Sequence, residues 1–307
     1  MKNWIKTNFP APVTTVLKVL FQYALRLFYW SQVVVSVRGD GRGEQIKLLL
    51  SAILGPITAL FHLMRWQYPK LVFDTRVRIK DVGRFQCSAY TDHLFQVIPY
   101  AQSNVRDVLC QHLKLGETFV DAGANIGFFT ILGSRLVGES GRVFSVEMMP
   151  QTAARLRHNI VINDLRNIHI TEGALSDQPG QTIVARQPVG SSGQASVSKI
   201  DLPGRKVVEC QVTTTTLDQV VEGVKEIALL KIDVEGHEAA VFAGGRNMLA
   251  RTRAVVFESW AGYPRSDAAI RQIEEAGFTI IAIDECNMLA VRSESGIGEF
   301  RRDVQHR

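Results

Sequence analysis

Residues 229–238, L-L-K-I-D-V-E-G-H-E, crowd five ionisable side chains, Lys231, Asp233, Glu235, His237 and Glu238, into ten positions. An apolar run precedes them, so the pattern reads as the end of a buried strand, a turn freed by Gly236, and the start of a helix. Ionisable groups are costly at such a place unless they bind something or one another. A neutral imidazole at His237 can accept a proton near pH 7; Asp233 is the second candidate base, Glu235 can orient the histidine or the acceptor's hydroxyl, Glu238 completes the group, and Lys231 can pair with Asp233 or Glu258. Asp233, Glu235 and His237 are also donors a cation could use, but their spacing matches no zinc signature and the expectation is that no metal takes part. The plainer reading is a charged network that only secures the turn.

A second group stands upstream. Residues 119–129, F-V-D-A-G-A-N-I-G-F-F, read as strand, tight turn and helix, with Asp121 at the strand's carboxyl end, Asn125 in the turn, and Gly123 and Gly127 where backbone can approach a ligand closely. Residues 142–146 form the next strand, which ends on Glu147. An acid there can accept from both hydroxyls of a ribose, while Asp121 can accept from an amine. Neither G-x-G-x-x-G nor G-x-x-x-x-G-K-[ST] is present, so nothing provides for a pyrophosphate or a triphosphate. The pair of acids suits S-adenosylmethionine better than a dinucleotide.

Four motifs in order, D-A-G-A-N-I-G at 121–127, E-G-A-L-S-D at 172–177, T-L-D at 216–218 and the decapeptide at 229–238, resemble the FkbM-type methyltransferase family, a class I S-adenosylmethionine-dependent group. The likeness covers about residues 100–293 and omits the first eighty or so. It implies an α/β, Rossmann-like fold with a mostly parallel seven-stranded sheet in the order 3-2-1-4-5-7-6 and an antiparallel last strand. It also implies methyl transfer to a hydroxyl of a saccharide, glycolipid or secondary metabolite. In such a fold the loop after the third strand borders the adenine, which would bring Gly173 and Ala174 to the ring and Ser176 or Asp177 to its amine or to the support of that loop. Asp177 reads equally well as a turn residue before Gln178-Pro179-Gly180. The resemblance sets the methyl end of the cofactor beside Asp233, Glu235, His237 and Glu238. The expected cofactor set is thus Asp121, Gly123, Asn125, Gly127, Glu147, Gly173, Ala174, Ser176 and Asp177. N-methylation of a small molecule, or a binding protein on the same fold without chemistry, are the alternatives.

These residues need elements to position them. Helices are expected at 104–115, with Val105, Val108, Leu109 and Leu113 as its apolar stripe, and at 151–163, 217–221, 239–249 and 268–276. Strands are expected at 168–172, 227–232, 254–258, 278–283 and 288–292. Residues 181–215 read as a β-rich insertion after the third core strand, with 190–193 as a mobile segment and lid over the acceptor end of the cleft. Trp260 and Tyr263 would stack on a sugar or cover the core edge. Residues 71–100 read as two short strands, at 71–74 and 77–82, then a cluster of Tyr90, Asp92, His93 and Tyr100 over the crevice, with His93 a hydrogen-bonded histidine rather than a base.

Charge divides the chain unevenly. Residues 1–80 carry twelve Lys and Arg against three acids, whereas residues 81–307 carry twenty-three against twenty-seven. A mildly acidic catalytic part without a basic stripe argues against a nucleic-acid partner and for a small-molecule or glycan acceptor. The basic beginning favours an anionic membrane surface. Two apolar stretches lie there, at 13–37 and 48–64; the second lacks any Lys, Arg, Asp or Glu and is interrupted by Gly55-Pro56. They can span, lie on the surface, or pack as a helical layer. Cys87, Cys110, Cys210 and Cys286 form no C-x-x-C and read as reduced, mostly buried thiols of a cytoplasmic protein, touching the inner face of the membrane through its first part. The expected division is a basic apolar extension at 1–80, the methyltransferase domain at 81–293, and a loose tail at 294–307.

Overall fold

The computed structural model describes residues 11–60, 68–197, 206–259 and 264–292. The chain divides into two compact units, one comprising residues up to 80 with 84–101, the other 81–83 with everything from 102 on.

In the first unit, α1 (Ala11–Ser36), β1 (Val37–Gly39), α2 (Arg42–Leu60), β2 (Thr75–Ile79), β3 (Gly83–Cys87) and α3 (His93–Gln96) follow one another, and the strands pair in the order β1-β2-β3. The helix α2 continues through Gly55 and Pro56. Gly55 lies against the Trp30 indole, so a Cβ there would press on the ring. Residues 71–74 are not a strand: the Leu71 carbonyl accepts from the Tyr90 N–H, and the Val72 N–H donates to the Ser51 hydroxyl. His93 accepts the Ser88 N–H at Nδ1 (3.1 Å), the satisfied role expected of it. No helix among the described residues is long and apolar enough to cross a membrane.

In the second unit come α4 (Ser103–His112), β4 (Thr118–Ala122), α5 (Phe128–Val137), β5 (Arg142–Glu147), α6 (Pro150–Ile162), β6 (Ile168–Glu172), β7 (Ala174–Leu175), β8 (Thr182–Pro188) and β9 (Val207–Thr215). They are followed by α7 (Leu217–Val220), β10 (Ile227–Ile232), α8 (Glu238–Ala243), α9 (Arg246–Ala250), β11 (Thr252–Glu258), α10 (Pro264–Glu275), β12 (Phe278–Ala282) and β13 (Asn287–Arg292). Among the described residues, the main sheet has seven strands in the order β6-β5-β4-β10-β11-β13-β12, the expected 3-2-1-4-5-7-6. β13 runs antiparallel to both neighbours and the other pairings are parallel. All six residues of β10 are buried, as a strand covered on both faces must be. The chain lays down β4, β5 and β6 outward, then returns across β4 to lay down β10. That reversal opens a crevice at the carboxyl ends of β4, β5 and β10, where this architecture places ligands.

Two elements differ from expectation. The single helix expected at 239–249 is broken into α8 and α9 at Gly244-Gly245, because a Cβ on Gly244 would strike the Ser176 carbonyl and one on Gly245 would crowd Leu217. Residues 190–193 are packed rather than open: Ser191 and Ser192 are buried and a short 3-10 turn covers Ser192–Gln194. The β-rich insertion itself forms as expected, with β7-β9-β8 in a small sheet over Met149. Of the thiols, only Cys87 is buried, Cys110 is exposed and the others are half-buried, so the set is less buried than expected. Trp260, Tyr263, residues 198–205 of the insertion and the tail at 294–307 lie outside the described residues.

Candidate active site

Asp121 and Lys231 are register partners on β4 and β10. The Asp121 carboxylate is 1% exposed; its Oδ2 accepts the Thr130 hydroxyl (2.7 Å) and its Oδ1 lies 3.4 Å from the Lys231 ammonium. Since the single Thr130 proton serves the carboxylate, the Ser145 hydroxyl donates to Thr130 (2.9 Å), extending the chain to β5. Lys231 also reaches the Gly123 carbonyl (3.3 Å) and Asp233 Oδ2 (3.7 Å), with its ammonium 5.3 Å from the Phe129 ring centre. Burial alone would lower this lysine, but Asp121 and Asp233 outweigh it and keep the ammonium above the usual lysine range.

The turn after β4 is built on left-handed backbone at Gly123, Asn125 and Gly127. A Cβ at Gly123 would collide with the Asp233 carbonyl, and one at Gly127 with Leu156. Glycine therefore lets the β4 turn lie directly on the end of β10, which the Asp233 N–H to Ala122 carbonyl bond (3.0 Å) secures. Beside it, Glu147 accepts the Asn125 N–H at Oε2 and the Met149 N–H at Oε1, both at 2.9 Å. Burial pushes the Glu147 carboxyl up to about 7, helped by the negative Asp121 and opposed by the two N–H donors and Lys231. Gly173, one strand further out, donates its N–H to the Glu147 carbonyl (3.2 Å), and Ala174 is buried in β7. Ser176 and Asp177 bond to each other (3.0 Å), and the Ser176 carbonyl lies against Gly244 at the end of α8.

Among the described residues the buried Asn125 Oδ1 at this turn has no hydrogen-bond donor, and Asp121 Oδ1 has only its 3.4 Å ion pair with Lys231. Each Glu147 oxygen, already given one N–H, keeps a second lone pair. A ligand carrying an ammonium and a vicinal diol would satisfy all of them, and S-adenosylmethionine has both groups; the residues present fit it.

The turn after β10 is sharp because Glu235 and Gly236 are both left-handed (φ 54° and 88°). It is braced from within by Glu238, a buried carboxylate that accepts the N–H groups of Val234 (3.4 Å) and Gly236 (3.1 Å) through one oxygen. Burial raises the Glu238 carboxyl above its ordinary range, and its N–H donors oppose this. His237 is the N-cap residue of α8. Asp233, Glu235 and Glu258 bring one carboxylate oxygen each to within 4.8 Å of one another, a set that could receive a cation. The left-handed turn brings Asp233 and Glu235 to the same side. From the insertion, the Ser196 hydroxyl reaches the Glu235 carbonyl (3.2 Å).

Three of these groups, Thr130, Ser145 and Ser196, did not figure in the sequence reading of the site, and Glu258 figured only as a candidate partner of Lys231. Glu258 ends the V-V-F-E strand as Glu147 ends V-F-S-V-E, a signal that could have found it. The T-L-D motif is structural: Thr216 caps α7 by accepting the Gln219 N–H, and Asp218 accepts the Asn247 and Met248 N–H groups at the start of α9.

A family model described as the methyltransferase FkbM domain matches residues 121–280, just over half of the chain. The hexuronic acid methyltransferase AglP of Haloferax volcanii is 28% identical over 168 residues, which are 54% of this chain and 65% of that protein. The arsenite methyltransferase of Halobacterium salinarum is 34% identical over 64 residues, 21% of this chain and 16% of that protein. The chain thus spans less than two thirds of the length of the curated relatives it matches. Among solved structures, the methyltransferase FkbM of Methylobacillus flagellatus KT aligns with a TM-score of 0.38 at 14% identity, over 64% of this chain and 53% of that one.

Proposed function

Since the chain belongs to the FkbM methyltransferase family, we propose that it transfers a methyl group from S-adenosylmethionine to a hydroxyl of a saccharide-like small molecule. The observation that carries the cofactor reading is the buried cluster beside Glu147, in which Asn125 Oδ1 has no donor among the described residues and Asp121 Oδ1 has only its ion pair with Lys231. Glu147 would take the ribose hydroxyls, Asp121 Oδ1 the ammonium of the methionine portion, and Gly123 and Gly127 let the backbone close around it. Gly173 and Ala174 border the base, while Ser176 and Asp177 support their loop. When bound, the cofactor supplies a methyl activated by a sulfonium.

The remaining work falls to the turn after β10. An alcohol is a weak acid, so its proton has to leave as the new bond forms, and a base must stand next to it. His237 is that base, with Asp233 next in line; Glu235 orients the acceptor's hydroxyl and Glu238 keeps the turn in shape. Lys231 pairs with Asp121 and Asp233 and so ties the two turns together. The hexuronic acid named for the relative AglP, and the balanced charge of residues 81–307, support a saccharide acceptor over a nucleic acid. A second reading has one observation behind it: a divalent cation on Asp233, Glu235 and Glu258 could polarise the acceptor hydroxyl instead.

Transfer of labelled methyl from S-adenosylmethionine to a panel of sugars and glycosides tests both. His237→Ala should lower turnover by about 10²- to 10⁴-fold and leave cofactor affinity nearly unchanged. Full activity in that variant passes the base role to Asp233, and loss of turnover with a chelator, restored by magnesium, establishes the cation reading.

A further inference from the structure

The outward faces of α1 and α2 are apolar, although each helix already buries its opposite face. In α2, Ile46, Leu49, Leu50, Ile53 and Ile57 are 41–63% exposed. At 100° per residue these five fall within an arc of about 100°, and the buried Leu48, Ser51 and Gly55 lie on the other side. In α1, Phe21, Ala24, Leu27, Phe28, Val34 and Val35 are exposed, with Ser31 the one polar side chain among them, while Trp30 and Val33 face inward. Scattered exposed leucines need no explanation, but two helices with continuous apolar outer stripes do.

Charge identifies the occupant. All three acids of residues 1–80 are engaged internally: Asp40 with Arg76, Arg78 and Arg84, Glu44 with Lys47 and the Arg76 N–H, and Asp74 with the Ala89 N–H. Twelve Lys and Arg stand against these three, and the exposed Arg38 in β1 and Arg42 at the start of α2 lie between the two helices. A second copy would set one net-positive segment against another. An anionic bilayer offers opposite charge and an apolar interior together, and neither helix is long and apolar enough to cross it. We propose that the exposed stripes of α1 and α2 are a monotopic docking face that enters the headgroup region of an anionic membrane, with the flanking Lys and Arg on lipid phosphates.

Flotation of the full chain with phosphatidylglycerol-containing and pure phosphatidylcholine vesicles tests this apart from the methyltransferase reading. The chain should float with the anionic vesicles, less so in about 1 M salt where screening acts within roughly 3 Å. The double variant Leu49→Glu, Ile53→Glu should float at least about ten-fold less while its unfolding temperature and S-adenosylmethionine affinity stay unchanged. If that variant fails to fold, Val35→Glu, at a position 75% exposed, provides the same comparison. No flotation of the wild-type chain, equal binding to both vesicle types, or a wild-type dimer that the variant makes monomeric would overturn the proposal, the last outcome assigning the face to a second copy.

Discussion

Glu147 is the residue on which the proposed cofactor recognition turns, and its protonation has a measurable consequence. Its folded-state value, about 7, stands above the ordinary 4.5, so the native chain binds a proton that the unfolded chain releases. Stability from this site is therefore fully present below about pH 4.5 and is lost as pH rises toward 7. Glu147→Gln removes the titration, so stability relative to wild type should rise between these values, by on the order of 3 kcal/mol at most, in urea unfolding at a series of pH values. A constant difference between the two curves contradicts a buried, raised carboxyl. At this scale the sequence was legible where an acid closes an apolar run, as at Asp121, Glu147 and Asp233. It was silent on Thr130 and Ser145, since a hydroxyl in an apolar stretch leaves no periodic signature, and it offered Glu258 only to Lys231, because the place of Glu258 beside Asp233 depends on the register of β10 with β11.

Among the elements, the two turns at the crevice depend on glycines for different reasons. Gly123 combines positive φ with a collision at the Asp233 carbonyl, so Gly123→Ala should cost at least about 2 kcal/mol and weaken the cofactor together with the fold. Gly244 has an ordinary φ of −84° and only the Ser176 carbonyl to strike, so Gly244→Ala should cost about 1–3 kcal/mol and leave cofactor affinity nearly intact. Urea unfolding with titration of the cofactor separates the two, and equal effects on affinity would contradict the different placing of these turns. Strand order and the insertion were readable because apolar runs alternate with helical spacing. The break at Gly244 was not, because it answers to a neighbour sixty-eight positions away in the chain, Ser176. Nor was the left-handed Glu235, whose conformation no side-chain pattern reports.

At the scale of the whole molecule, two units with separate sheets imply more than one unfolding event. Scanning calorimetry of the full chain should show two transitions, and S-adenosylmethionine at about 100 times its dissociation constant should add roughly 2.7 kcal/mol to one of them alone. A single transition that shifts as one contradicts independent units. The basic, apolar character of the first unit was plain from composition, whereas its outward apolar faces required knowledge of which side of each helix is buried.

The central claim, that the crevice at the ends of β4, β5 and β10 takes S-adenosylmethionine through Glu147, is tested most directly by calorimetric titration of that cofactor at several pH values. Hydroxyls that donate to a carboxylate favour its ionised form, so binding should release a proton near neutrality and tighten from about pH 6 to about pH 8. Glu147→Ala should weaken binding about ten-fold or more, as loss of a charged hydrogen bond of roughly 1.5–3 kcal/mol requires, and should abolish the pH dependence. Unchanged affinity in that variant, or binding of NAD in place of S-adenosylmethionine, would contradict it.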